Sequence, residues 1–124
     1  KKIHHAKINN LKTIDVWGDG TARREFLYAG DVADAIFAAI ENLSTVPNLM
    51  NIGVGLDYSI NEYYEIIAEI LNWQGSFVYD LGMPVGMHQK LSAIDLQRKW
   101  GWQPKTSLRQ GVKKTYKYFL ESCS

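Results

Sequence analysis

The chain has 124 residues, 46% of them hydrophobic and 22% charged, with a formal net charge of +1. That length and balance fit a single globular domain, and no block of like charges is long enough to read as a tail. No apolar run is long enough to span a membrane, and no secretory segment opens the chain. The single cysteine, Cys123, rules out an internal disulfide and reads as an exposed terminal thiol, so the expected compartment is a reducing cytoplasm.

In chain order, Lys1 to Asn9 reads as a helix with Ile3, Ala6 and Asn10 on one side and a stop at Asn9-Asn10. It resembles the second half of a helix, and the expectation is a piece of something longer. "TIDVW" (Thr13 to Trp17) alternates like a strand, Gly18-Asp19-Gly20 signals a turn, and "REFLY" (Arg24 to Tyr28) is rich in strand formers. Asp31 is placed to cap a helix in which Val32, Ala35, Ile36, Ala39 and Ile40 recur at helical spacing. "LMNIGVG" reads as a short apolar strand. Ser59 and Glu62 have capping-box spacing ahead of "YYEIIAEIL", a helix expected to end at Gly75. "SFVYD" reads as a strand, Leu81 to Gln89 as a loop, and Asp95 to Trp100 as a short helix stopped at Gly101. Ser107 and Gln110 open a last helix to about Glu121. The expected fold is mixed α/β, or α+β-like, with short strands packed against four to five helices.

"VWGDGTARREFL" carries the most chemistry. An indole offers a flat face on which a base can stack, and a guanidinium matches two phosphate oxygens at once. The Gly-Asp-Gly turn lets a ligand approach the backbone. Read alone, the stretch favours the plainer alternative, with Trp17 in the core and Arg23 and Arg24 in solvent. Lys90 follows the glycine-rich "GMPVGMHQ" and could meet an anion there, although an ordinary surface lysine is the simpler reading. His4 and His5 are adjacent and point to different helix faces, and with His88 they make no metal spacing; no metal is expected. No G-x-S-x-G elbow accompanies the serines, and Tyr63, Tyr64, Tyr116 and Tyr118 read as helix packing. Neither G-x-G-x-x-G nor G-x-x-x-x-G-K-[ST] occurs, so no dinucleotide or P-loop site is expected in these residues.

"VWGDGTARREFLYAGDVADAI", "MNIGVGLDYSINEYYEIIAEILNWQG" and "WGWQPKTSLRQGVKKTYKYFLES" together resemble the C-terminal part of extended short-chain dehydrogenase/reductases, the nucleotide-sugar epimerases and dehydratases. The likeness runs through nearly the whole chain in the family's order. "VWGDG" followed by "REFLY" is most similar to the branch that epimerises a GDP-4-keto-6-deoxy sugar at carbons 3 and 5 and reduces its ketone with NADPH. The resemblance implies a single sugar-nucleotide-binding domain over residues 1–124, the C-terminal substrate-binding part of a longer enzyme, without a complete Rossmann fold of its own. It implies that Trp17, Val16, Arg24 (rather than Arg23), Lys2 and Lys90 bind the substrate, a GDP-sugar by preference.

It further implies NADP(H) bound mainly by a missing N-terminal part, a homodimeric full-length enzyme, and no nucleic-acid or membrane partner. The family's Tyr-x-x-x-Lys pair, its serine and its acid/base cysteine and histidine have no counterpart here, so no catalytic residue is expected and the piece alone is expected to be inactive. The family loop K-P-D-G-T-P-R-K-L-L-D becomes "MPVGMHQKLSA", placing Val85, Gln89 and Ala93 where an acid, an arginine and an acid stand. "YVDD" becomes "YAGD", keeping Asp31. The rival readings are the same domain of another nucleotide-sugar epimerase, dehydratase or reductase, and a non-catalytic binding module.

Overall fold

The computed structural model describes residues 1–122, so the reading of Cys123 lies outside the described residues. The elements are α1 (Lys2–Ile8), β1 (Thr13–Trp17), β2 (Arg23–Glu25), α2 (Ala29–Glu41), β3 (Asp57–Ser59), α3 (Ile60–Leu71), β4 (Ser76–Asp80), β5 (Gln89–Lys90), α4 (Asp95–Trp100) and α5 (Leu108–Ser122). This is a mixed α/β chain. It divides into two compact units: Lys1–Arg24 with Tyr58–Lys90, and Glu25–Asp57 with the segment from Leu91 onward.

In the first unit, α1 buries Ile3 and Ala6. Asn10 does not join them; it is exposed and takes φ 54 in the turn after the helix, a conformation asparagine tolerates better than most residues. β1 pairs in parallel with β4, from Thr13 opposite Ser76 to Trp17 opposite Asp80. The pleat sends Ile14 and Val16 inward and Thr13, Asp15 and Trp17 outward. The capping box that opens α3 is formed: Glu62 N donates to Ser59 Oγ at 3.1 Å and Ser59 N donates to the Glu62 carboxylate at 2.7 Å. The helix stops at Asn72, left-handed with φ 51, and not at Gly75 as its sequence suggests. Its inner face meets β4, with Tyr64 edge-on to Phe77 at 5.5 Å and Trp73 tilted against the same ring at 5.6 Å. The buried Trp73 also donates its indole N–H to Leu11 O at 3.1 Å.

β2 is shorter than expected and begins one residue earlier. It stands between β3 and β5 in a second, three-stranded sheet. β5 lies at the end of the segment read as loop and runs parallel to β2, with Arg23 opposite Gln89 and Arg24 opposite Lys90.

In the second unit, α2 begins at Ala29 with Tyr28 as its N-cap, so Asp31 is not the cap. Asp31 is buried in the first turn, where its carboxylate accepts from Lys105 N at 3.2 Å, Thr106 N at 2.9 Å and Thr106 Oγ1 at 2.8 Å. "LMNIGVG" is not a strand. The amides a ladder would use are taken by side chains: Gly53 N donates to Gln97 Oε1 at 2.7 Å, while Val54 N and Gly55 N donate to Glu25 Oε1 at 2.5 and 2.7 Å. Gln97, fully buried, returns a bond to Gly53 O at 3.0 Å. α4 ends at Gly101 with φ 96, and α5 opens on the expected Ser107–Gln110 box.

Candidate functional site

Trp17 closes β1 with its side chain 62% exposed, on the face opposite Val16. The plainer reading, a core tryptophan, is therefore not what the structure contains. Lys2 reaches over it from α1, its Nζ 5.8 Å from the ring centroid and donating to Asp15 O at 3.1 Å. One hydrogen bond occupies one of three ammonium protons and leaves two for an anion at the edge of the indole. Val16 has a different position from the one its neighbour suggests. It is 2% exposed and sits with Ile14 on the buried face, so its side chain does not line the exposed Trp17 face.

Arg23 and Arg24 are consecutive strand residues and project to opposite sides of β2. Arg23 Nη1 lies 3.5 Å from Glu62 Oε2, and its backbone N–H donates to His88 O at 2.7 Å. Arg24 donates to the Arg23 carbonyl at 2.6 Å and stands directly opposite Lys90 in the parallel register. The register sets two cations opposite each other on the β2–β5 pair, an arrangement that an anion with two or more acceptor oxygens can bridge.

The loop from Leu81 to His88 joins the two groups. At its start Gly18 N donates to Asp80 O at 2.8 Å. A Cβ built on Gly18 would come within 2.8 Å of Val85 Cγ2, and one built on Gly86 would lie 3.9 Å from Arg24 Nη2. Val85 and Gly86 are consecutive, so a single dipeptide lies beside both the turn after Trp17 and the Arg24 guanidinium. Valine at 85 leaves this junction without the acid of the family loop. The nearby Asp19 carboxylate is occupied, accepting from Thr21 N at 2.9 Å and Thr21 Oγ1 at 2.8 Å, and these bonds hold its pKa below the ordinary value.

Asn61 carries no sequence signal beyond its place inside the capping box, yet it is bonded to the turn. Its backbone N–H donates to Gly20 O at 3.0 Å and its Nδ2 to Asp19 O at 3.2 Å.

Among the described residues no three His, Cys, Asp or Glu side chains gather as a metal group, and no helix is long and apolar enough to cross a membrane. Burial pushes the Tyr63 and Tyr64 phenols up, as packed residues require, whereas Tyr118 is 70% exposed and does not pack. The Gly53–Gly55 stretch offers no open cradle for a dinucleotide cofactor. The glycine-rich amides at Gly53, Val54 and Gly55 are already bound by Gln97 and Glu25 and are not open to a diphosphate.

Residues 1–53 match the family described as NAD dependent epimerase/dehydratase. Over 120 residues the chain is 48% identical to the GDP-L-colitose synthase of Yersinia pseudotuberculosis, covering 97% of this chain and 39% of that protein. It is 46% identical over 120 residues to the GDP-L-fucose synthase of Azorhizobium caulinodans, covering 97% of this chain and 38% of that one. The solved GDP-mannoheptose C4 reductase of Campylobacter jejuni, with NADP bound, superposes with a TM-score of 0.82 at 27% identity, over 96% of this chain and 42% of that one. These findings make the chain similar to the NAD-dependent epimerase/dehydratase family, with extended short-chain dehydrogenase/reductase structures as its neighbours. It is a relative of the GDP-L-fucose and GDP-L-colitose synthases. It spans less than half the length of these relatives.

Proposed function

We propose that this chain is the sugar-nucleotide-binding part of a longer NADP-dependent epimerase/reductase, and that it grips the nucleoside diphosphate of a GDP-sugar. Trp17 stacks on the base, while Lys2, Arg24 and Lys90 neutralise the diphosphate. Charge-assisted bonds of this kind contribute about 1.5–3 kcal/mol each. The 4-keto-6-deoxy sugar then lies outside the grip, presented to epimerising and reducing groups that these 124 residues do not contain. NADP(H) belongs to the remainder of the protein, since the G-x-G-x-x-G fingerprint that would bind it is not among these residues. Holding the sugar against those groups lowers the barrier by positioning.

The observation that carries this reading is the pairing of an exposed indole under a lysine with two facing cations, joined by the Val85–Gly86 dipeptide. Calorimetric titration with GDP, UDP, dTDP and inorganic pyrophosphate tests it. The expected order is GDP tightest and pyrophosphate weakest, with Arg24→Ala weakening all four and leaving the fold intact. Unchanged GDP affinity in Arg24→Ala would remove that residue from the site, and no nucleotide binding by the parent would end the proposal.

A further inference from the structure

Asn61 Oδ1 is buried without a hydrogen-bond partner. Such groups are few in native proteins and each calls for a reason. The amide cannot rotate out of the problem, because turning it would set its oxygen against the Asp19 carbonyl that Nδ2 now serves at 3.2 Å. Nor can the neighbour yield: Gly20 is left-handed, φ 72, and a Cβ there would overlap Asn61 Oδ1. The two residues are fitted to each other at the expense of an unsatisfied oxygen.

What this fit holds is the turn behind Trp17. Asn61 N binds Gly20 O and Asn61 Nδ2 binds Asp19 O, while the preceding amide, Ile60 N, binds Ala22 O at 3.0 Å. The first turn of α3 thus grips three carbonyls between Trp17 and Arg23, those of Asp19, Gly20 and Ala22. That helix end is itself fixed by the Ser59–Glu62 capping box, and Glu62 also meets Arg23. The Arg24 end has a separate hold, the register with β5. The side chain of Asn61 therefore acts on the tryptophan end of the site.

We propose that Asn61 is a positioning residue that sets the Trp17 indole at the angle a nucleobase requires, and that Gly20 is glycine to admit it. This rests on the nucleotide-binding reading above. Replacing Asn61 by alanine removes one hydrogen bond but also removes the unsatisfied oxygen, so the melting temperature should move little. The turn loosens all the same. The expected signature is selective: GDP affinity falls about tenfold, the scale of a weakened base stack, while pyrophosphate affinity is unchanged.

The test compares parent, Asn61→Ala and Asn61→Leu by calorimetry with GDP and with pyrophosphate, alongside thermal unfolding. Leucine keeps the shape of asparagine and loses the donor, so it serves where alanine fails to fold, and it should show the same selective loss. Equal GDP affinity in parent and variants overturns the proposal. So does a parallel fall for both ligands, or loss of folding in both variants, each of which makes Asn61 structural. A parent that binds pyrophosphate but not GDP overturns the base-stacking reading itself and this inference with it.

Discussion

Val16 and Trp17 are neighbours with opposite exposures, and substitutions at the two should separate stability from binding. Trp17 is exposed, so Trp17→Ala should change unfolding free energy by less than about 0.5 kcal/mol, as surface changes do. Losing a base stack of about 1–3 kcal/mol should nevertheless cost roughly 10- to 100-fold in GDP affinity. Val16→Ala removes buried methyl groups and should lower stability by about 1–2 kcal/mol while GDP affinity stays within a factor of about two. Urea unfolding and calorimetry on the same two variants check both statements. The sequence could not assign these roles, because a five-residue alternating stretch shows which residues share a face but not which face the rest of the chain covers.

Glu25 is a second residue whose environment makes a measurable difference. Burial opposes its charge, but hydrogen bonds from Ser92, Gly55 and Val54 outweigh burial and hold the carboxyl below its ordinary value of 4.5. A lowered folded pKa means that the unfolded chain takes up the proton first as pH falls. The stabilisation is therefore complete above the ordinary carboxylate range and is lost as pH drops through the lowered value. Glu25→Gln should cost about 1–3 kcal/mol near neutral pH, with the gap from the parent closing in acid. A gap that stays constant from neutral pH into acid would mean that the charge of Glu25 contributes nothing.

At the scale of elements, what local chemistry specifies could be read and what distant side chains specify could not. The Ser59–Glu62 and Ser107–Gln110 boxes, the alternating strand at Thr13–Trp17, the strand at Ser76–Asp80 and the glycine stop after α4 all depend on near neighbours, and all are present. "MNIGVG" has the composition of a strand, but Gln97 and Glu25, far away in sequence, take its amides. Asp31 has the look of an N-cap, but its carboxylate serves Lys105 and Thr106. Magnitude distinguishes those two roles. Removing an N-cap costs about 1 kcal/mol, whereas orphaning several buried donors costs about 1–3 kcal/mol for each. Asp31→Ala should therefore destabilise by more than about 2 kcal/mol in urea unfolding, and a loss near 1 kcal/mol would return the residue to a capping role.

Across the whole chain, the least legible feature is where apolar surface ends up. The spacing of Val32, Ala35, Ile36, Ala39 and Ile40 marks an amphipathic helix, and α2 forms. Yet Ala35 is buried with Asp31, while Ile36, Phe37 and Ile40 are 55%, 67% and 58% exposed. Periodicity identifies an apolar face; it carries no information on what covers that face. Contiguous exposed apolar side chains are unusual on a monomer and promote association, with each large one worth about 1.5–3 kcal/mol when covered. The 124-residue chain in isolation should therefore self-associate with rising concentration in sedimentation velocity. Phe37→Glu with Ile40→Lys should restore the monomer. GDP affinity should be unchanged in that double variant, since neither residue belongs to the unit that carries Trp17, Arg24 and Lys90. A parent that remains monomeric at every concentration would show that this face has no tendency to be covered by a second copy.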